Sequence, residues 1–176
     1  MRRLRYNVAM SLDGYIADSQ ERFDWIPNDD AVDFAGLFAR VDTFILGRRT
    51  YETVLANGEP PWEAGARIYV VSRTLPAGPH DRVTVVRDDP VGLADALRHE
   101  SGDGDIWLFG GGQLFAALLA AGQVDTVEIT VVPVLLGGGV PVVAFLPARM
   151  PLTFTHSHVY PSGMVTLSYT VSEAAG

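Results

Sequence analysis

The stretch from Asp105 to Ala121 constrains the fold of this chain more than any other. Ile106 to Phe109 is a short apolar run of the kind that forms a strand buried on both faces. Gly110, Gly111 and Gly112 break it, and Leu114, Phe115, Leu118 and Leu119 then recur at helical spacing. The chain therefore passes from a strand, through a turn free of side chains, into the first turn of a helix. The first N–H groups of a helix have no internal partner, and glycine lets an anion approach them closely, so a pyrophosphate suits this turn. The same glycines also suit a tight connection that binds nothing. The spacing departs from the usual dinucleotide fingerprint and from the P-loop, and no Lys-Ser/Thr follows, so the rest of the chain must decide.

A second junction repeats the pattern. Thr43 to Leu46 reads as a buried strand running into Gly47-Arg48-Arg49-Thr50-Tyr51-Glu52. With 13 Lys and Arg against 21 Asp and Glu, the formal net charge is −8. That balance argues against a nucleic-acid backbone as partner and requires any bound anion to be held by local charge. Arg48 and Arg49 supply such charge, and Thr50 adds a hydroxyl that either caps the helix or binds phosphate. A third strand, Arg67 to Val71, ends in Ser72-Arg73-Thr74. Hydroxyl, guanidinium and hydroxyl at a strand end can grip the ribose phosphate that separates NADP from NAD, or simply form a turn.

With 176 residues, nearly half of them apolar, the chain suits one domain spanning residues 1–176. It has no cysteine, which excludes disulfides, thiolate metal sites and a cysteine nucleophile. Leu4 to Met10 reads as a strand ending in Ser11-Leu12-Asp13-Gly14, where Asp13 is either a turn former or an acid or substrate anchor beyond the strand end. Asp18 to Asp30 reads as a loop in which Trp25 either caps the core or walls a pocket for a flat heteroaromatic ring. Asn28 is expected to cap a helix with Asp29 and Asp30 in its first turn, a stripe of Phe34, Leu37, Phe38 and Val41, and an end near Arg40. Asn57 to Gly65 reads as an irregular loop.

Val83 to Val86 is a further strand, followed by Asp89 and Pro90 in the capping and first positions of a helix that buries Leu93, Ala94 and Leu97. This alternation of strand and helix points to a mainly parallel sheet with helices on its faces. From Val124 the pattern becomes alternating, and Leu152 to Tyr160 with Met164 to Val171 form an antiparallel hairpin around Pro161-Ser162-Gly163. His156 and His158 lack a third ligand nearby and read as exposed strand residues, so no metal is expected. Val131 to Ala148 is uncharged but holds Pro133, Pro141 and Pro147, which makes it a strand and loop rather than a membrane span. The basic start, Met1 to Arg5, reaches Asp13 too soon for a signal peptide, and the expectation is a soluble cytoplasmic protein without membrane or nucleic-acid partners.

Five segments stand in one order: Val8-Ala9-Met10-Ser11-Leu12-Asp13-Gly14, Leu46-Gly47-Arg48-Arg49-Thr50-Tyr51, Val70-Val71-Ser72-Arg73-Thr74, Phe109-Gly110-Gly111-Gly112, and Val132-Pro133-Val134-Leu135-Leu136-Gly137-Gly138-Gly139. This order resembles the dihydrofolate reductase-like superfamily, most closely the reductase domain of the bifunctional riboflavin-biosynthesis deaminase/reductase and its stand-alone relatives. The likeness covers nearly the whole chain. It implies a three-layer α/β/α fold around a mixed, mainly parallel sheet with a C-terminal antiparallel hairpin, and NADPH along the carboxyl ends of the strands. By that resemblance Gly47, Arg48 and Thr50 match the cofactor-binding helix start and Ser72 and Arg73 the adenosine 2′-phosphate site. Gly110, Gly111, Gly112 and the following Gln113 match the pyrophosphate turn. Met10, Asp13, Trp25 and Phe109 fall on the substrate side, and a homodimer is implied.

The activity so implied is NADPH-dependent transfer of hydride to a C=O or C=N carbon of a small heterocyclic or sugar-derived substrate, of the 5-amino-6-ribosylamino-uracil phosphate type. Asp13 is the expected catalytic residue, supplying or relaying a proton from a pocket between Trp25 and Phe109 that raises its pKa. Two departures stand out. The riboflavin enzymes usually carry Glu where this chain has Phe109. The acid that dihydrofolate reductases place on the first helix has Asp30 and Asp33 near its position. A dihydrofolate or pterin reductase and a catalytically silent NADP-binding sensor are the alternative readings.

Overall fold

The alternating and helical patterns become the following elements in a computed structural model that describes residues 1–58, 60–62, 65–80 and 82–172. The strands are β1 (Leu4–Ser11), β2 (Tyr15–Ala17), β3 (Val41–Gly47), β4 (Arg67–Val71), β5 (Gly78–His80), β6 (Val83–Val86), β7 (Asp105–Gly110), β8 (Thr126–Val132), β9 (Val140–Pro141), β10 (Leu152–Val159) and β11 (Val165–Val171). The helices are α1 (Phe34–Phe38), α2 (Arg48–Ala56), α3 (Pro90–His99) and α4 (Gly112–Ala120). One sheet runs in the order β10-β11-β8-β1-β7-β3-β4-β6-β5, and β2 pairs with β9 in a separate ribbon. The strands from β8 to β6 are parallel, while at the two ends β11 pairs antiparallel with β8, β10 antiparallel with β11 and β5 antiparallel with β6. The expected mixed sheet with its C-terminal hairpin is therefore the one observed.

Strand alternation divides the core into two layers. On one face Leu4, Tyr6, Ile45, Ile106 and Leu108 pack with Ala94 and Leu97 of α3 and with Leu114, Phe115 and Leu118 of α4. On the other, Phe44, Leu46, Ile68, Val70 and Trp107 pack with Leu37 and Phe38 of α1 and Tyr51 of α2. Each fully buried side chain of this size contributes about 1.5–3 kcal/mol relative to exposure, which fixes helices on both faces and excludes any one-residue slip of register. Tyr6 stacks on Phe115 with ring centroids 3.7 Å apart.

The amino edge of the sheet is closed by charge. The buried Arg2 guanidinium pairs with Asp42 and donates to the Thr43 hydroxyl at 3.0 Å, while its Nε donates to the Gly104 carbonyl at 2.8 Å. Asp125 accepts from the Leu4 amide at 2.7 Å and from Arg98 Nη2 at 2.8 Å, and Arg98 also donates to the Gln123 carbonyl. Among the described residues no helix is long and apolar enough to cross a membrane.

Two elements differ from the sequence reading. The helix expected from Asn28 to Arg40 is only the five residues of α1, capped by Asp33, whose Oδ1 accepts from the Gly36 amide at 2.8 Å. Asp29 instead accepts from the Ala31 amide at 2.9 Å and from the Ser162 amide at 3.1 Å, so this acid closes a turn and reaches across to the hairpin. Phe34 is exposed and Val41 opens β3, leaving Leu37 and Phe38 as the stripe. Strand β5 carries no alternation of its own; it exists because β6 offers a free edge, where Pro79 is tolerated. The α3 start follows expectation, with Asp89 accepting from the Gly92 amide at 2.7 Å ahead of Pro90. Part of the expected Asn57–Gly65 loop, namely Glu59, Glu63 and Ala64, lies outside the described residues, and His156 and His158 are exposed on β10.

Replacing Asp125 by Ala removes the acceptor for both the Leu4 amide and Arg98. Hydrogen bonds to charged groups are worth about 1.5–3 kcal/mol, so urea denaturation should show a loss of about 2 kcal/mol with an unchanged m-value.

Candidate functional site

Strand register brings three of the sequence-identified segments to one edge. Leu46 of β3 pairs with Gly110 of β7, Gly47 with Val71 of β4, and Val71 with Val86 of β6. The Gly110–Gly112 turn, the Gly47–Thr50 junction and Ser72–Thr74 therefore leave adjacent strands at the same carboxyl edge. Gly47 and Gly111 are the N-caps of α2 and α4, and neither helix start has a side-chain cap. Two sets of free helix N–H groups thus open side by side, which is the setting that attracts an anion.

The junctions nearly touch. A Cβ placed on Gly47 would lie 3.7 Å from the Gly110 carbonyl oxygen and 3.8 Å from the Gly111 nitrogen. On Gly110 or Gly111 it would lie 3.5 or 3.4 Å from the Thr50 hydroxyl. Gly110 has φ of 137°, a conformation L side chains rarely adopt, and its peptide with Gly111 is cis. Thr50 Oγ1 accordingly faces the glycine backbone, and Gln113 lies in the first turn of α4.

The charges near this edge are unequally engaged. Arg48 is held by Glu52 at 2.8 Å and Arg49 by Glu21 at 3.7 Å, whereas Arg73 has no ion-pair partner among the described residues. Ser72 is buried, and its hydroxyl oxygen accepts from the Thr74 and Leu75 amides at 3.2 and 2.9 Å, so the segment is a hydroxyl-stabilised turn that presents Arg73 outward. Arg87, which the sequence reading passed over, donates through Nη2 to the Arg73 carbonyl at 2.7 Å. It follows β6 as Arg73 follows β4, so a guanidinium directly after a buried strand was the available signal.

Asp13 sits in the turn after β1, exposed, with both oxygens engaged. Oδ1 accepts from the Ser11 hydroxyl at 2.6 Å and from the Leu136 amide at 3.1 Å, and Oδ2 accepts from the Gly137 amide at 2.7 Å. The Ser11 hydrogen bond, outweighing partial desolvation and joined by the two amides, holds this carboxyl below its ordinary value. The raised pKa expected from the sequence is thereby corrected: Asp13 is an ionised clasp at neutral pH. The two residues expected to wall its pocket each have local packing partners. Trp25 is half-buried with its indole donating to the Arg22 carbonyl at 3.1 Å. The Phe109 ring lies 5.0 Å from Trp107 and 6.2 Å from both Phe44 and Trp62. Met10 continues the row of Tyr6 and Val8 and so faces α3 and α4, opposite to Phe109. Asp33 caps α1 through Oδ1, and Asp30 is exposed.

What Asp13 holds is a strap. The segment after β8 crosses the carboxyl edge, fixed by the Leu12 amide donating to the Val134 carbonyl at 2.9 Å and by the Val142 amide donating to Gly14 at 2.9 Å. The Tyr6 hydroxyl donates to the Val142 carbonyl at 3.0 Å, and the Ala144 amide donates to Gly112 at 3.2 Å. Any side chain on Gly112 would collide with the Pro141 carbonyl, so the strap rests directly on the α4 start.

The family model of the RibD C-terminal domain matches residues 2–166. The chain belongs to the RibD C-terminal domain family. A protein from Shewanella sp. PV-4 named for riboflavin biosynthesis is 30% identical and superposes with a TM-score of 0.81 over 98% of this chain and 100% of that one. The uncharacterized protein YyaP of Bacillus subtilis (strain 168) is 27% identical over 96% of this chain and 94% of its own length. The Thermotoga maritima diaminohydroxyphosphoribosylaminopyrimidine deaminase/5-amino-6-(5-phosphoribosylamino)uracil reductase is 16% identical. It shares the fold, with a TM-score of 0.69 over 97% of this chain and 57% of that one. Membership of the RibD C-terminal domain family agrees with the dihydrofolate reductase-like resemblance read from the five ordered segments.

Because the folded pKa of Asp13 is depressed, its clasp is fully formed above the ordinary carboxylate range, near 4, and is lost as pH falls through the lower folded value. A carboxyl-detected NMR titration should place its midpoint below the ordinary value, with the Leu136 and Gly137 amide signals moving along the same curve. A midpoint at or above the ordinary value contradicts the clasp.

Proposed function

We propose that this chain is an NADPH-dependent reductase acting on a C=O or C=N carbon of a small heterocyclic or sugar-derived substrate, in the manner of a ribosylaminouracil phosphate reductase. The observation that carries the reading is the close approach of the Gly47 and Gly110–Gly111 backbones between two uncapped helix starts. A cradle that a methyl group would begin to fill, lined by N–H groups and the Thr50 hydroxyl, fits a pyrophosphate. In this reading Gly47, Arg48, Thr50, Gly110, Gly111, Gly112 and Gln113 hold the pyrophosphate half of the cofactor.

Ser72, Arg73 and Arg87 leave strands that neighbour the cradle, which suits the 2′-phosphate of NADPH. Neighbouring strands lie about 4.8 Å apart, so this group stands roughly 10 Å across the edge from the glycine turn, the scale of one half of a dinucleotide. NADPH supplies the hydride when bound; the protein supplies orientation and a site shielded from water. Asp13 acts as the anchor that keeps the strap over the edge, with any proton reaching the substrate by way of water rather than from a protonated Asp13. Phe109 offers an aromatic wall where the riboflavin enzymes usually carry Glu, which favours stacking on a flat ring over charge recognition of a base edge. The name of the Thermotoga protein supports the ribosylated pyrimidine class on the level of fold.

Calorimetric titration tests this directly. NADPH should bind more tightly than NADH, and Arg73→Ala and Arg87→Ala should each narrow that preference by about tenfold, since a charge-assisted contact is worth about 1.5–3 kcal/mol. Gly47→Ala has ordinary contact room for its methyl group and an extended backbone, so it should fold normally while weakening both cofactors by about tenfold or more. Equal affinity of the folded Gly47→Ala variant and wild type would remove the cradle from the account.

A further inference from the structure

Trp107 marks a boundary on the sheet. The apolar cluster on its face takes side chains from β3, β4, β6 and β7 and none from β1, β8 or β11. Register continues that face as Asn7 and Ala9 on β1, Glu128 and Thr130 on β8, and Thr166 and Ser168 on β11. All six are half-buried. The chain ahead of α1 lies across them: Asp29 accepts from the Ser162 amide in the hairpin turn at 3.1 Å, and Phe38 packs on Trp107 with ring centroids 5.2 Å apart. Between those two points the chain crosses β11, β8 and β1. It therefore roofs a groove whose floor is small and polar and whose inner end is Phe109, the residue before the Gly110 turn.

The floor has hydrogen-bonding capacity to spare but no free cation. Asn7 donates from Nδ2 to Glu128 at 2.8 Å, which turns its Oδ1 away, and that oxygen has no partner among the described residues. Thr130 and Thr166 share one hydrogen bond at 2.7 Å, so one of their two hydroxyl hydrogens is left over. Arg5 is held by both Glu128 and Asp105. The roof is wholly acidic: from Phe23 to Ala39 the charged residues are Asp24, Asp29, Asp30 and Asp33, and Arg22 just before them is held by Asp18 at 2.8 Å. From Ile129 to Ser172 the sole Asp, Glu, Lys or Arg is Arg149, between Leu146 and Met150, which pack on the opposite face. His158, at the outer end, lies beside Asp29 and against the Tyr160 ring.

We infer that this groove receives the acceptor and that the acceptor is an unphosphorylated heterocycle without negative charge, a base or nucleoside rather than a nucleotide. The inference rests on the reductase reading, in which the cofactor occupies the Gly110 turn next to Phe109. An acceptor phosphate needs a guanidinium, an ammonium or a free helix start. The groove has none available: Arg5 is engaged by two carboxylates, the start of α1 is capped by Asp33, and the starts of α2 and α4 serve the cofactor. Four carboxylates in the roof repel a dianion, the more so in a half-buried space of lowered dielectric. A neutral ring suits every element present. Its face stacks on Phe109, and its polar edge gives a hydrogen to Asn7 Oδ1 and takes one from the Thr130–Thr166 pair.

The test is calorimetric titration of the NADPH-loaded protein with 5-amino-6-ribosylaminouracil and, separately, with its 5′-phosphate, alongside NADPH oxidation followed by absorbance. The unphosphorylated compound should bind tighter by about tenfold or more and be the one that is turned over. Asp30→Lys, at an exposed position of the roof, supplies the missing cation and should narrow that difference by about fivefold, with the affinities for NADPH and the unphosphorylated compound unchanged. Thr130→Val should weaken the unphosphorylated compound by about fivefold and leave NADPH binding as it is. Tighter binding of the phosphorylated form overturns the inference, as does a difference that Asp30→Lys leaves untouched or an NADPH-loaded protein that takes neither compound. A protein that does not bind NADPH at the outset takes down the reductase reading itself, and the inference with it.

Discussion

The rest of the structure depends on the contact of two backbones without side chains. Leu46 and Gly110 are register partners in adjacent parallel strands, so α2 and α4 must start beside each other. Gly47, Gly110 and Gly111 make that possible: Gly110 holds a φ of 137° that L side chains rarely adopt, and a methyl group at any of the three would already stand in contact with the opposing backbone or with Thr50. Free helix N–H groups are costly to leave unpaired, and here two sets share one opening. The protein thus brings two uncapped helix starts together at a single point of the carboxyl edge.

The two edges of the sheet divide the work of the molecule. Arg2, Asp42, Arg98 and Asp125 tie the amino edge together with buried or half-buried ion pairs and backbone hydrogen bonds. None of these groups is near the glycine turns, and their role is stability. At the carboxyl edge the closing element is backbone: the strap after β8, fixed through Asp13, Gly14, the Tyr6 hydroxyl and Gly112. Burial pushes the Tyr6 phenol well above its usual range, so it remains a neutral donor to Val142. The site is therefore roofed by contacts that do not consume the donors of α2 and α4 facing the opening.

Much of this was legible in the sequence because it is local. The strand–glycine–helix junctions, the Asp89-Pro90 start and the alternating C-terminal hairpin are written in short stretches whose periodicity survives folding. Helix α1 was misread because Asn28, Asp29, Asp30 and Asp33 all compete as caps, and the winner is settled by Ser162 on the distant hairpin holding Asp29. Asp13 was misread for the same kind of reason. Its environment is set by amides 123 and 124 positions away, and they turn a candidate acid into an acceptor. Met10 and Phe109 lie on opposite faces because the register of β1 against β7 fixes their parity, and register is a property of the pair rather than of either strand. The RibD C-terminal domain family membership settles the fold and leaves these local assignments to geometry.

The central claim is that one continuous edge, from the Gly110 turn through Gly47 to Ser72, receives a phosphorylated dinucleotide. Backbone NMR with added NADPH tests it most directly. The account predicts that the amides of Gly47 to Thr50, Ser72 to Thr74 and Gly110 to Gln113 shift together on a single saturation curve, while Arg2, Leu4 and Asp125 at the amino edge stay still. Shifts confined to the amino edge or to the β10–β11 hairpin, or no shift at any of the three segments, would contradict it.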